Sequence, residues 1–272
     1  MTMTENSSGN PTVRFLWLEI TGRCQLLCVH CYAESGPSGT HGVMTVDDWR
    51  RVIDEGAALG VGMVQFIGGE PTLHPDLPRL VEYALDRHVE VEVFSNLLRV
   101  TPRLWDIFSR PGVCLATSYY ADDVGQHEII TQRRGSYART TANIAEAVRR
   151  SIPLRVGLID VMDEQRVAQA RQRLADLGVV DVDLDRLRQV GRGVRDRQPD
   201  VSQLCGACAR GKVAIASNGD VWPCVFARWM PMGNIRAAGL ADVLTSPGAS
   251  TARSELDTVR PAFAKCNPDK PS

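Results

Sequence analysis

Lysine is nearly missing from this chain: Lys212, Lys265 and Lys270 are its three, and arginine carries the rest of the positive charge. Charge of one sign is missing too. The net charge is −1 with 31 basic and 32 acidic residues, which leaves no electrostatic footprint for nucleic acid or for an anionic membrane. No stretch approaches the roughly 18 apolar residues that a membrane-spanning helix needs. Residues 1–12 are polar and contain no apolar segment of a secretory signal, so they read as a disordered arm and the chain as cytoplasmic.

What the chain does have is length and cysteine. Its 272 residues, 44% of them hydrophobic, suffice for one barrel-sized domain with a small appendage. Eight cysteines in a chain without a secretory signal point to metal rather than to disulfides. Cys24, Cys28 and Cys31 form one group, Cys205, Cys208, Cys224 and Cys266 a second, and Cys114 stands apart.

Between the groups, β-rich runs at 14–20, 63–67, 89–95, 113–119, 154–161 and 179–187 alternate with amphipathic stretches at 45–59, 75–87, 101–109, 136–150 and 164–177. Strand–helix alternation of this kind demands a parallel sheet, hence an α/β fold. Thr45-Val46-Asp47-Asp48 reads as the cap of the first helix. Ligand sites in such sheets lie at the carboxyl ends of the strands, where both the first cysteine loop and Gly68-Gly69-Glu70-Pro71 fall.

Cys24-x3-Cys28-x2-Cys31-Tyr32 follows the first strand. Thiolates are soft ligands for zinc or for iron–sulfur clusters. Three of them can hold three corners of a cubane and leave its fourth iron open for a substrate. A zinc site completed by His30 or His41, or a set of buried thiols, satisfies the same spacing.

The Cys-x3-Cys-x2-Cys-aromatic run, together with the complete Gly-Gly-Glu-Pro segment one strand later, resembles the signature of radical S-adenosylmethionine (SAM) enzymes. The resemblance implies a [4Fe-4S] cluster on Cys24, Cys28 and Cys31. In that family the open iron chelates the amino and carboxylate groups of SAM and drives its reductive cleavage to a 5′-deoxyadenosyl radical. It further implies a partial (β/α)6 TIM-like barrel over 13–198, with SAM contacts at Gly68, Gly69 and Glu70. Tyr32 lies against adenine or cluster on this view. Ser95-Asn96 and Ser118 resemble the SAM-facing ends of the third and fourth strands, although Leu97 stands where family members carry glycine. Solvated turns account for Ser95, Asn96 and Ser118 equally well. Arg186, in the segment ending Gly191-Arg192-Gly193, is placed to bind a carboxylate of SAM or substrate, or else belongs to a solvated basic turn.

The last quarter repeats the chemistry. Cys205-Gly-Ala-Cys208, Cys224 and Gly233-Asn234-Ile235-Arg236 resemble the twitch/SPASM extensions of the same superfamily, with a hairpin expected at Asn218-Gly219. That resemblance assigns 199–272 to a small domain in which Cys205, Cys208, Cys224 and Cys266 hold one auxiliary [4Fe-4S] cluster. A structural zinc ribbon would use the same four ligands.

The implied substrate is a ribosomally made peptide; the alternative is an aminocyclitol or sugar alcohol, and a binding protein held together by zinc is the reading from another class. An external electron donor of flavodoxin or ferredoxin type is implied, as is a separate leader-peptide recognition protein. Cys114 is expected either in the core or, if it faces the barrel mouth, as a hydrogen donor to a substrate radical.

Overall fold

The computed structural model describes residues 13–206 and 208–258. The expected arm at 1–12 and the expected ligand Cys266 lie outside the described residues.

Five strand–helix units and a sixth strand come first: β1 (Phe15–Thr21), α1 (Val46–Ala58), β2 (Met63–Gly68), α2 (Leu77–Asp86), β3 (Glu90–Phe94), α3 (Pro102–Phe108), β4 (Val113–Tyr119), α4 (Val124–Thr131), α5 (Ser136–Arg149), β5 (Leu154–Asp160), α6 (Val167–Asp176) and β6 (Asp181–Arg186). Then follow β7 (Lys212–Ala216), β8 (Asp220–Trp222), β9 (Gly233–Asn234), α7 (Leu240–Thr245) and α8 (Pro247–Leu256). The strands form one sheet in the order β6-β5-β4-β3-β2-β1-β7-β8-β9. β1 to β7 run parallel, and β8 and β9 antiparallel to their neighbours.

Local chemistry explains the elements. The Thr45 side chain accepts the Asp48 amide at 3.1 Å while Asp48 accepts the Thr45 amide at 2.8 Å, a reciprocal cap that starts α1. Pro102 opens α3 behind Thr101, whose hydroxyl accepts the Leu104 amide. Every residue of β1 is buried, as a central parallel strand with both faces covered requires. Leu16, Leu18, Phe66, Trp49, Ile53, Leu77 and Leu80 belong to one fully buried core. Burying each such side chain contributes about 1.5–3 kcal/mol.

Two features depart from the sequence reading. The short helix α4 has apolar residues on no single side, and Val124 and Ile129 remain exposed, so the 3.6-residue period was absent. The tail's hairpin does not stand apart from the barrel sheet. Its β7 pairs with β1 in register from Phe15–Lys212 to Glu19–Ala216, so the sheet runs unbroken past residue 198. The hairpin expected at Asn218-Gly219 forms as β7–β8, with Gly219 at a positive φ of 91°.

Candidate functional site

One cavity of about 290 Å³ opens at the carboxyl ends of the strands. Alternate residues of the strands line it: Trp17, Gln65, Phe94, Ser118, Arg155 and Asp183. Cys24, Cys28 and Cys31 line the same space, as do Gly68, Gly69 and Tyr32.

Backbone hydrogen bonds set the cysteine loop. The Cys24 amide donates to Gly36 O at 3.0 Å, and the Cys31 amide to Cys28 O at 3.2 Å. The last carbonyls of α4 hold the middle of the loop: Ile130 O accepts the Val29 amide and Thr131 O the Leu27 amide. These carbonyls have no partner inside their own helix, so the loop satisfies them. Burial is the first cause raising the Cys24 thiol far above its ordinary range, and Glu70 adds to it. Burial also pushes Cys28 up to about 12, helped by Cys31 and opposed by the Arg192 guanidinium.

Thiols held in this way ionise only against a cation. Among the described residues no three His, Cys, Asp or Glu side chains close around a single metal ion. Three cysteines lining one cavity offer soft thiolates, a donor set that fits an iron–sulfur group.

Gly68 ends β2 and Gly69 follows it, both against the start of this loop. A Cβ on Gly68 would lie 2.3 Å from Thr21 O, and one on Gly69 2.3 Å from Arg23 O. Only glycine lets the two backbones meet, and Gly68 also has a φ of 135°. The Glu70 carboxylate lies behind the cavity wall. It is fully buried and accepts from Thr72 Oγ1 at 2.7 Å, the Thr72 amide at 3.1 Å, Ser95 Oγ at 2.7 Å and the Asn96 amide at 2.8 Å. Burial raises its pKa, and those hydrogen bonds oppose the shift.

Ser95 is therefore engaged with Glu70 and does not line the cavity, whereas Asn96 does. The Asn96 Nδ2 lies 3.6 Å from Cys24 Sγ, and its Oδ1 accepts from Gln25 Nε2 at 3.1 Å. Leu97 adopts a φ of +51°, the left-handed turn conformation that favours glycine. Arg186 also lines the cavity, with its Nη2 donating to Ser202 O at 3.1 Å.

Cys114 is elsewhere. It sits at the amino-terminal end of β4, outside the cavity lining, with its Sγ 3.6 Å from Val91 O. Burial pushes its thiol up to about 12, with Glu92 adding to the shift. The condition set for a hydrogen donor, facing the barrel mouth, is not met.

Tyr32 joins the two cysteine groups. Its ring meets Phe226 edge-on at 5.2 Å, and Arg228 lies 5.5 Å from the Tyr32 centroid and 4.6 Å from that of Trp222. Arg228 pairs with the buried Glu19 of β1. In the second group, Cys208 Sγ lies 3.2 Å from Cys224 Sγ. Hydrogen bonds from Cys208 to Cys205 and Cys224 are the first causes that drive its thiol far upward. Cys224 and Phe226 line the main cavity as well.

Sequence reasoning picked out the Gly191-Arg192-Gly193 segment but not its grip on the cysteine loop, and it missed the α4 carbonyls, the Glu19–Arg228 pair and the cavity floor, where Glu92 accepts from Gln65 Nε2 and, at 2.6 and 2.8 Å, from Arg155 Nε and Nη2. Glu19 was the one visible signal, a charge within an otherwise apolar strand.

A parallel α/β sheet that delivers a three-thiol loop into a cavity at its carboxyl end defines an iron–sulfur barrel protein. The chain belongs to the radical SAM superfamily, whose family model matches residues 18–175. A second model, SPASM, described as an iron-sulfur cluster-binding domain, matches residues 192–268. Its cofactors are accordingly iron–sulfur clusters and SAM. The AdoMet-dependent heme synthase of Methanosarcina barkeri is 27% identical over 191 residues, 70% of this chain and 54% of that protein. The PqqA peptide cyclase of Bradyrhizobium diazoefficiens is 31% identical over 172 residues, 62% of this chain and 43% of that protein. The chain thus spans about half the length of these relatives. Streptococcus suis SuiB bound to precursor peptide SuiA shares the fold, with a TM-score of 0.76 at 16% identity over 90% of this chain and 68% of that one. Among the described residues no helix is long and apolar enough to cross a membrane.

Proposed function

We propose that this chain modifies a ribosomally made precursor peptide by radical SAM chemistry. The observation that carries the reading is the shared cavity: Cys24, Cys28 and Cys31 line the same space as the Gly68-Gly69 turn. Similarity to a PqqA peptide cyclase and the shared fold of peptide-bound SuiB support a peptide over a small molecule. When bound, the cluster and SAM together supply reductive cleavage of the sulfonium and a carbon radical that takes hydrogen from the substrate.

The chain's own residues do the positioning. Cys24, Cys28 and Cys31 hold the cluster; Gly68 and Gly69 expose backbone to the SAM amino group; Asn96, Ser118 and Tyr32 line the space around it. Glu70 fixes the wall by tying the β2 and β3 loops together. Cys205, Cys208 and Cys224, with Cys266, hold the auxiliary cluster. Delivery of electrons by a flavodoxin- or ferredoxin-type protein, a separate leader-peptide recognition protein and a cytoplasmic location belong to the same proposal.

Anaerobic reconstitution followed by SAM and dithionite tests it. The intact chain should release 5′-deoxyadenosine and modify the precursor peptide encoded beside its gene. Changing Cys24, Cys28 and Cys31 to alanine should abolish both, whereas changing Cys205, Cys208 and Cys224 should halve the iron and leave SAM cleavage. Normal 5′-deoxyadenosine release from the first variant would sink the cluster assignment. Sugar-pathway genes as neighbours, with no peptide product, would sink the substrate.

A further inference from the structure

The segment after β6 grips the first cysteine loop. The Arg192 amide donates to Cys31 O at 3.1 Å. Its guanidinium reaches across the loop, with Nε donating to Cys28 O at 2.9 Å and Nη2 to Ser35 O at 2.7 Å. Three carbonyls of the loop, two of them belonging to thiol-bearing residues, thus end on one arginine.

Gly191 makes the approach possible. Its φ is +57°, and a Cβ there would lie 2.4 Å from Tyr32 O and 2.6 Å from Cys31 O. Gly193 is held as tightly, since a Cβ would meet Arg188 O at 2.4 Å. The Gly191-Arg192-Gly193 turn is therefore shaped to the loop and not to solvent. Its half-buried guanidinium is thereby fixed against the backbone of Cys28 itself.

We infer that Arg192 is a positioning residue that fixes the three-thiol loop and raises the reduction potential of the cluster held there. The inference rests on the reading that Cys24, Cys28 and Cys31 carry a cluster. Adding an electron makes the cluster more negative, and a fixed cation at short range in a poorly polarisable site stabilises that form. Arginine suits both tasks, because its planar fork spans two carbonyls while remaining charged. The Cys28 and Ser35 carbonyls already occupy the Nε and Nη2 groups that would otherwise bind a carboxylate.

The test uses the reconstituted full chain and the paramagnetic signal that changes when SAM is added, which separates this cluster from the auxiliary one. At a dithionite-poised potential where the wild type is half reduced, the reduced-to-oxidised ratio in Arg192→Met should fall by about tenfold or more. Arg192→Lys keeps the charge and should return the ratio to within about threefold of wild type while losing iron to a chelator faster, because the fork is gone. A wild-type ratio in Arg192→Met, or equal ratios in the two variants, overturns the inference. Should Arg192→Met hold no cluster, Arg192→Lys decides alone: faster iron loss at wild-type potential supports it, and wild-type iron loss overturns it. Absence of any SAM-responsive signal in the wild type would instead defeat the cluster reading itself. Failure to modify a peptide, with the potentials behaving as described, would defeat only the substrate reading.

Discussion

The Glu70 carboxylate accepts the backbone N–H of Asn96 at 2.8 Å, which bolts the loop after β2 to the loop after β3. Glu70→Ala would leave that amide, Ser95 Oγ and Thr72 without their acceptor inside a dry wall. Loss of about 2–4 kcal/mol of unfolding free energy is expected. Urea titration checks it, and a change below about 0.5 kcal/mol would show that the contacts are dispensable.

Gly69→Ala should weaken SAM binding to the reconstituted protein by about tenfold or more, since the backbones of two ligand-bearing loops must part. The new methyl would lie 2.3 Å from Arg23 O. Gly62→Ala is the matched control, with nothing within 4 Å of its Cβ. Equal SAM affinity in both variants, measured by equilibrium dialysis, would count against close loop contact as the reason for the glycine.

Acid should loosen the fold through His127. Burial lowers its pKa to about 4 from an ordinary 6.5. Its ring is enclosed by Tyr119, Tyr120 and Tyr137 at 5.2, 5.2 and 5.6 Å. The folded-state pKa lies below the unfolded one, so stability is complete above about pH 6.5. It falls as the unfolded chain takes up a proton that the folded one refuses, down to about pH 4. The loss approaches about 3 kcal/mol. His127→Phe should flatten that part of the pH–stability curve, and an unchanged slope would assign it to other groups.

Cys114→Ser should leave product formation near the wild-type rate and cost about 1 kcal/mol or less in stability, because the thiol sits at the far end of β4 from the cavity mouth. Loss of product with intact SAM cleavage would restore it as a hydrogen donor.

Much of the fold was legible because β1, β2 and β4 are mainly apolar, β3 and β6 alternate charged with apolar residues, and α1, α2 and α5 are amphipathic, each period agreeing with its element. The cysteine loop and Gly68-Gly69 were legible because their chemistry is local, a few residue types at fixed spacing. What escaped is held by contacts between distant segments. Arg192 touches Cys28 O across 164 positions, and Arg228 reaches Glu19 across 209, separations for which a single sequence has no period. Glu70 shows the subtler failure. Its motif was visible, but only the burial of its carboxylate under Ser95 and Asn96 reveals that it faces the wall. Helix α4 was lost because its helical state depends on what its ends touch more than on a stripe of its own.

The pairing of β7 with β1 has a consequence for how the molecule comes into being. The strand beneath the thiols finds its second neighbour only after about 200 further residues have left the ribosome. Until then one long flank of β1 stays open to any passing strand, including that of another nascent copy. β1, buried along its whole length, is thus among the last strands to be sealed, and shortening the chain ahead of Lys212 would leave an adhesive edge where a finished pocket should be.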